Sequence, residues 1–596
     1  MIHFETLLAA HIQQALSSVF GIAAEKIALQ TTKPEFEGSH TWVSFPFAKA
    51  TGQSPEALGK AVGEYLVQHA DFVANFNVVK GFLNISLRHE AWLQFFNTLQ
   101  QMPDFGQAAP KQQKVMVEFS SPNTNKPLHL GHLRNNFLGD SLARILTANG
   151  YEVIRAQLVN DRGIHICKSM LAYQQAGQAE TPENSQTKGD HLVAKYYVAF
   201  EKLYQSQIQA LVAEGMPKEQ AEKQAPAMQE ARELLQKWEN GDPETLALWR
   251  KMNGWVYAGF DKTYQNIGVR FDKVYYESET YLLGKSIVDE GLANGVFFKK
   301  PDGSVWIDLK AEKLDEKLLL RNDGTSVYIT QDLGTADMRF QALSLDKCIY
   351  VVGNEQDYHF KVLFAILHKL GRTYGQNGLF HLSYGMVDLP SGRMKTREGT
   401  VVDADELLAD MIDTARQRTD EKGVVNMEDF SQADREKLYH QIGLGAMKYY
   451  LLKVEPKKRM LFNPEESIDF QGDACPFVQY NYARTRAILR KAEDLGIKHQ
   501  TTHTVGTLQP AELHLLHLFY DYPATVQQAA DSLEPSLLVQ YAYQLAKGYS
   551  QFFAECPIFK AETPELCAFR VALSAQAGEL IRKSLGLLGI ESPERM

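Results

Sequence analysis

The feature that most narrows the fold is a strand, loop, helix, strand run early in the chain. Lys114-Val115-Met116-Val117-Glu118-Phe119 is a short apolar strand, and a loop carrying Pro122 and Pro127 follows it. Leu133, Phe137, Leu142, Ile145 and Leu146 then recur at helical spacing from near Gly131 to Gly150, a helix-ending glycine. Tyr151–Val159 is again strand-like. Two strands joined by one helix predict a βαβ unit in a parallel sheet, because parallel neighbours need a crossover. The pattern returns with a strand at Lys347–Val352 and a helix at His359–Leu370. The expected fold class is α/β, a Rossmann-like domain with a parallel sheet.

The rest of the chain is organised around that domain. A polar stretch at about 170–300 carries Leu211, Leu234, Leu235, Trp238, Leu246, Leu248 and Trp249 at helical spacing, and reads as a helical insertion. Upstream, Phe4, Leu7, Leu8, Ile12, Leu16 and Val19 predict a helix, and Phe82–Leu87 a strand, giving a small α+β N-terminal domain. From about 405 onward the pattern is almost wholly helical, as at 438–452, 477–492 and 537–553. A length of 596 residues is a prior for about four domains. The expected units are 1–105, a sheet domain at 112–400, a helical junction at 401–475 and a helical domain at 476–596.

Composition excludes several classes. Lys plus Arg is 62 against 72 Asp plus Glu, a net charge of −10, so a uniformly basic nucleic-acid coat is ruled out while local basic patches are not. Five scattered cysteines without a C-x-x-C pair argue against a disulfide framework and a cysteine zinc site. No apolar run approaches a membrane span, and Met1–Glu5 does not open like a signal peptide, so a cytoplasmic location is expected. Gly284-Lys285-Ser286 ends like a P-loop, but Glu279 stands where that motif needs glycine.

The chemistry concentrates at His129-Leu130-Gly131-His132, between strand and helix. A helix start offers backbone amides and a positive dipole end to phosphates, and Gly131 lets a flat base approach the backbone. Histidines there can donate to phosphoryl oxygens as charge develops. The bland reading of the tetrapeptide is a helix-capping pair.

With its flanks, the run Glu118-Phe119-Ser120-Ser121-Pro122-Asn123, then Lys126-Pro127, then His129-Leu130-Gly131-His132-Leu133-Arg134 resembles the class I aminoacyl-tRNA synthetases, and among them the arginyl-tRNA synthetases. Val327–Gly334 resembles the family's Tyr/Asp pocket strand, Val352–His359 its Gln-Asp-x-His turn, and Leu587–Met596 its C-terminal ending. The N-terminal domain resembles the family's more loosely, at Gly81-Phe82-Leu83-Asn84. The resemblance implies an enzyme that uses ATP, with Mg²⁺ on its phosphates, to attach arginine to tRNA(Arg) through an arginyl-adenylate, and a monomeric state; the cysteine pattern separately predicts no zinc and no metal held by side chains. It gives His129, Gly131 and His132 to ATP, Glu118, Tyr328 and Asp332 to the guanidinium, and Asn123 and Gln356 to the α-amino and carboxylate end. The residue chemistry agrees: a five-donor guanidinium needs carboxylate forks, and Tyr328 and Asp332, four apart, share one side of a strand or helix turn.

Two departures stand out. The family's lysine-rich second signature is degenerate here, in Gly392–Gly399; Arg393, Lys395 or Arg397 still offers a cation, and the resemblance favours the upstream Lys126 as the compensating charge. Arg162 replaces a common aromatic beside Asn160 and Asp161, which are expected at the pocket edge, and His165 and Cys167 read as packing. For tRNA, Tyr480, Tyr482, Arg484 and Arg486 interleave aromatics with charge, and Lys457 and Lys458 form a basic cluster, although each aromatic could equally be bundle core. A non-catalytic tRNA-binding paralogue would have lost His129, His132 or the pocket acids, and all are present. A synthetase of another specificity and a small nucleotidyltransferase are the remaining alternatives. The former would need a cysteine zinc set or an editing insertion, and the latter no helical C-terminal domain.

Overall fold

Val115, Met116 and Val117 are all buried in the strand Lys114–Glu118, as a central parallel strand requires. The computed structural model describes residues 3–24, 26–33, 35–177, 179–388, 402–422, 430–497 and 501–596. Five parallel strands form the central sheet in the spatial order Leu379–Tyr384, Lys347–Gly353, Lys114–Glu118, Glu152–Val159, Lys273–Tyr276. Strand order reverses between Lys347–Gly353 and Lys114–Glu118. A crevice therefore opens outside the carboxyl ends of those two strands, where α/β sheets place their ligands.

The helix Leu130–Ala148 crosses from the first strand to Glu152–Val159, completing the expected βαβ unit. The insertion is helical through Gly189–Ala213, Pro226–Glu239 and Pro243–Ile267, but it stops there. Lys273–Tyr276, inside the stretch read as a helical insertion, is the edge strand of the main sheet. A small antiparallel sheet of Phe298–Lys299, Val305–Ile307 and Lys317–Leu320 follows.

The N-terminal domain packs the helices Phe4–Phe20, Pro55–His69 and His89–Leu99 around an antiparallel sheet ordered Leu29–Thr31, His40–Val43, Phe82–Leu87, Val73–Val79. Its aromatic face docks on the helix Pro510–Ser532. Phe4 meets Tyr520 with ring centroids 5.3 Å apart, Trp92 meets His517 at 4.3 Å, and the Asn97 amide donates to the His503 carbonyl at 3.0 Å.

The C-terminal helices Cys475–Asp494, Pro510–Ser532, Ser536–Glu555 and Pro564–Leu587 form a bundle. The end of the bundle contacts both the junction and the sheet domain: the Lys448 ammonium donates to the Gly589 carbonyl at 2.6 Å and the Ser141 hydroxyl to the Leu587 carbonyl at 3.0 Å. Among the described residues no helix is long and apolar enough to cross a membrane.

Candidate active site

His129 ends an extended loop and caps the helix Leu130–Ala148. Its Nδ1 accepts the Gly131 amide at 3.1 Å, and the His132 Nδ1 accepts the His129 amide at 3.2 Å. The capping reading is realised in both directions. Because each Nδ1 is an acceptor, the neutral ring carries its proton on Nε2, leaving that N–H to donate elsewhere. Burial, with Lys126 nearby, lowers His129 to about 4 and drives His132 well below the usual histidine range. Both rings are neutral Nε2–H donors at neutral pH.

This capping changes how the helix start meets phosphates. The Leu130 amide is taken by the Val402 carbonyl at 3.3 Å and the Gly131 amide by His129. Two of the first three amides expected to cradle phosphate are therefore occupied, and the imidazoles stand in their place. Gly131 has a second reason to be glycine: a Cβ there would lie 3.1 Å from the His129 ring. Further along the helix, the buried Arg134 guanidinium donates to the Gly385 carbonyl at 2.6 Å and the Lys458 carbonyl at 3.0 Å, tying the signature to the chain just ahead of residue 389.

The loop between Glu118 and Lys126 folds back on itself. Ser120 and Ser121 both take positive φ, 75° and 45°, and the Ser120 amide is held by the Asn135 side chain, whose own amide donates to the Val351 carbonyl at 2.7 Å. Asn135 thus fixes the loop across the two strands at the crevice, a role nothing in the sequence flagged. Asn123 is exposed and bridges to Asn160. Lys126 is partly buried, which lowers its pKa, and its charge acts on both histidines.

The segment read as a pocket strand is the start of the helix Tyr328–Leu343. Tyr328 and Asp332 still share a face, now one helical turn apart. Tyr328 is 76% exposed, and Asp332 pairs with His359 Nε2 at 2.6 Å. Gln356 lies in the exposed turn ahead of His359. Glu118 is 6% exposed and its carboxylate is already ion-paired with the buried Arg339, so it is not the open acceptor the sequence suggested. Burial pushes Glu118 up, Arg339 pulls it back, and the charge on Asp332 pushes it up again.

A further, partly buried acid, Glu277, feels the charge of Asp332. Burial lifts Glu277 to about 7, with Arg162 opposing and Asp161 and Asp332 adding to the rise. Asp161 is not a pocket-edge ligand. It is fully buried, accepting from the Ser278 amide at 2.8 Å, the Ser278 hydroxyl at 2.7 Å and the Tyr257 hydroxyl at 2.8 Å. Arg162 lies over the Tyr281 ring at 4.1 Å and pairs with Glu239 at 3.0 Å, so it packs as the missing aromatic would.

Just past the degenerate signature, whose Arg393 and Lys395 lie outside the described residues, His129 and Asp403 form an antiparallel bridge. His191 Nε2 meets Asp403 at 2.9 Å, and Lys188 Nζ meets Asp405 at 2.6 Å, Asp190 at 3.0 Å and Thr263 at 2.6 Å. His191, Asp403 and Asp405 have metal-ligand spacing, but Asp403 already pairs with His191 and Asp405 with Lys188. A separate cavity of about 310 Å³ lies far along the signature helix, between Arg144, His440, Lys448 and Glu591.

The tRNA candidates divide. Tyr482 is 4% exposed and donates to Glu594 at 2.7 Å, and Arg486 pairs with the same acid at 2.6 Å. Both clamp the C-terminal tail, correcting their assignment to tRNA. Arg484 lies between the Tyr480 and Phe553 rings, 4.8 and 4.7 Å from their centroids. Lys457 and Lys458 are exposed, with Lys458 paired to Glu455 at 2.9 Å.

Beyond this geometry, the chain matches known proteins along its whole length. Residues 94–463 match the family model for the class I (R) tRNA synthetase catalytic domain. The chain belongs to the arginyl-tRNA synthetase family. Residues 478–596 match the DALR anticodon binding domain and residues 6–87 the arginyl tRNA synthetase N terminal domain. The arginine--tRNA ligase of Amoebophilus asiaticus is 52% identical over 100% of both chains, and that of Bacteroides thetaiotaomicron 51% over 99% of this chain and 100% of its own. The Thermus thermophilus arginyl-tRNA synthetase structure superposes with a TM-score of 0.80 at 25% identity, covering 100% of each chain. As an arginine--tRNA ligase, the chain joins arginine to tRNA.

Proposed function

We propose that this arginyl-tRNA synthetase activates arginine in the crevice at the strand-order switch, and that the reciprocal histidine cap is what carries the reading. His129 and His132, neutral and with Nε2–H free of the cap, donate to ATP phosphates. Lys126 supplies the fixed positive charge for pyrophosphate, in place of the degenerate loop. The arginine carboxylate attacks the α-phosphate, giving the adenylate and pyrophosphate, and the tRNA terminal hydroxyl then takes the arginyl group. No protein nucleophile is needed, and positioning with electrostatic stabilisation does the work.

The guanidinium end meets Asp332, Tyr328 and Glu118, joined by Glu277, while Asn123 and Gln356 face the α-amino and carboxylate end. Magnesium enters with the phosphates, since Asp403 and Asp405 already pair with His191 and Lys188. Tyr480, Arg484, Lys457 and Lys458 remain the tRNA candidates of the helical C-terminal units at 401–475 and 476–596, with the N-terminal unit at 1–105 as a second contact. A monomer in the cytoplasm completes the proposal.

Pyrophosphate exchange tests it. Asp332→Asn, removing a charged partner of the guanidinium, should raise the KM for arginine roughly 10- to 100-fold with the KM for ATP unchanged. Lys126→Met should instead lower kcat. An unchanged arginine KM in Asp332→Asn would refute the pocket.

A further inference from the structure

Two guanidinium groups have a claim on Glu118: the substrate's and Arg339's. Arg339 lies on the helix Tyr328–Leu343 in the stripe that carries Tyr328 and Asp332, since positions 0, 4 and 11 of a helix share a face. It is 1% exposed, its Nη1 pairs with Glu118, and its plane lies 4.6 Å from the Tyr275 ring centroid. Its Nε and Nη2 have no hydrogen-bond partner. A buried cation left partly unsatisfied is costly, so its presence beside one particular acid asks for a reason.

We propose that Arg339 is a positioning residue for substrate selection, holding the Glu118 carboxylate ionised and oriented so that its remaining face can accept the substrate guanidinium. The inference rests on the reading of Glu118 as a pocket acid. Every other group facing Glu118 is neutral or of the same sign. Asp332, on the same helix as Arg339, repels it. Cys348 and Tyr350 on the neighbouring strand and Tyr275 on the edge strand are held protonated by burial, Cys348 at about 12. Arg339 is therefore the cation that opposes desolvation. Without it, a carboxyl this deep protonates, and a protonated carboxyl no longer attracts a cationic substrate.

A salt bridge that merely filled the core would affect stability and kcat at every pH alike. A charge-holding role has a different signature. The test compares the arginine KM of Arg339→Gln with that of the unaltered enzyme between about pH 6.5 and 8.5, as a ratio, so that titration of the substrate and of Glu277 cancels. The ratio should be largest at low pH and fall toward roughly tenfold less per pH unit as Glu118 ionises, with the ATP KM unmoved. Arg339→Lys, which keeps the charge, should give a small and flat ratio. A flat ratio in Arg339→Gln overturns the proposal. Glu118→Gln separates the two layers. If it leaves the arginine KM unchanged, Glu118 does not meet substrate and the underlying reading falls with this one. If it raises the KM while Arg339→Gln stays flat, only the role of Arg339 falls. Should Arg339→Gln not fold, infrared difference spectra between the unaltered enzyme and Glu118→Gln decide the matter. A protonated-carboxyl band from Glu118 at neutral pH would overturn the proposal, and its absence supports it.

Discussion

Lys188→Met should destabilise the catalytic domain, and more so as pH rises. Lys188 Nζ contacts Asp190 at 3.0 Å, Asp405 at 2.6 Å and the Thr263 hydroxyl at 2.6 Å. Asp190 is fully buried, and Gly259 packs so closely on it that a Cβ there would lie 2.4 Å from its carboxylate, so water cannot easily replace the ammonium. Removing one partner of such a network costs about 3–5 kcal/mol, and the partial exposure of Lys188 and Asp405 places this case near about 3 kcal/mol. That corresponds to roughly 6–12 °C in the melting transition of a domain-sized unit. His191 then remains as the counter-charge. Its pKa is raised, chiefly by its hydrogen bond to Asp403, so its contribution is fully present below about pH 6.5 and is lost as pH rises through the raised value. The deficit of Lys188→Met should therefore widen between about pH 6 and 8.5. Calorimetry at several pH values, following the transition that moves, reads this directly. Because the Asp403 backbone is bridged to His129, the same variant should lower the exchange rate. A melting temperature unchanged at every pH, or a deficit that narrows with rising pH, would refute the reasoning.

Other consequences are equally open to measurement. Glu277, lifted to about 7 by burial, ionises as pH rises through that value, so the arginine KM should fall across that range. Glu277→Gln should flatten that dependence, and a profile identical to the unaltered enzyme would remove Glu277 from the pocket. Tyr482→Phe should cost about 1 kcal/mol of stability and leave the tRNA KM unchanged, because its hydroxyl serves Glu594. A tRNA KM raised tenfold would restore its direct role. Arg484→Ala, which unstacks Tyr480 and Phe553, should raise the tRNA KM several-fold with arginine activation intact.

What sequence could show here was local. The strand, the cap and the helix at Glu118–Arg134 are set by neighbours a few positions apart, and they form as their pattern indicates. At Tyr328 the resemblance implies a strand, while the four-residue spacing fits a strand or a helix turn. The buried Leu333, Ala336 and Phe340 stripe, which is tertiary, decides for the helix. Lys273–Tyr276 was missed because four residues carry little periodicity, and its pairing with Glu152–Val159 is what makes it a strand. The largest omissions were partnerships across the fold: Arg339 with Glu118, His359 with Asp332, and Glu594 with Tyr482 and Arg486. Each joins groups whose spacing in the chain has no period. The acids were legible as a type, and their counter-charges were not.

The docking of the first helix on the C-terminal bundle sets a timetable for synthesis. Phe4 and Tyr520, whose amide and hydroxyl meet at 2.8 Å, are 516 positions apart. At ribosomal speeds the aromatic face of Phe4, Trp92 and Phe95 waits uncovered for roughly 25 to 100 s before its partner emerges. A nascent chain stalled or cleaved before the Pro510–Ser532 helix carries that oily face permanently. The cell's quality-control machinery is thereby given a simple sign that about the last seventh of the polypeptide is missing.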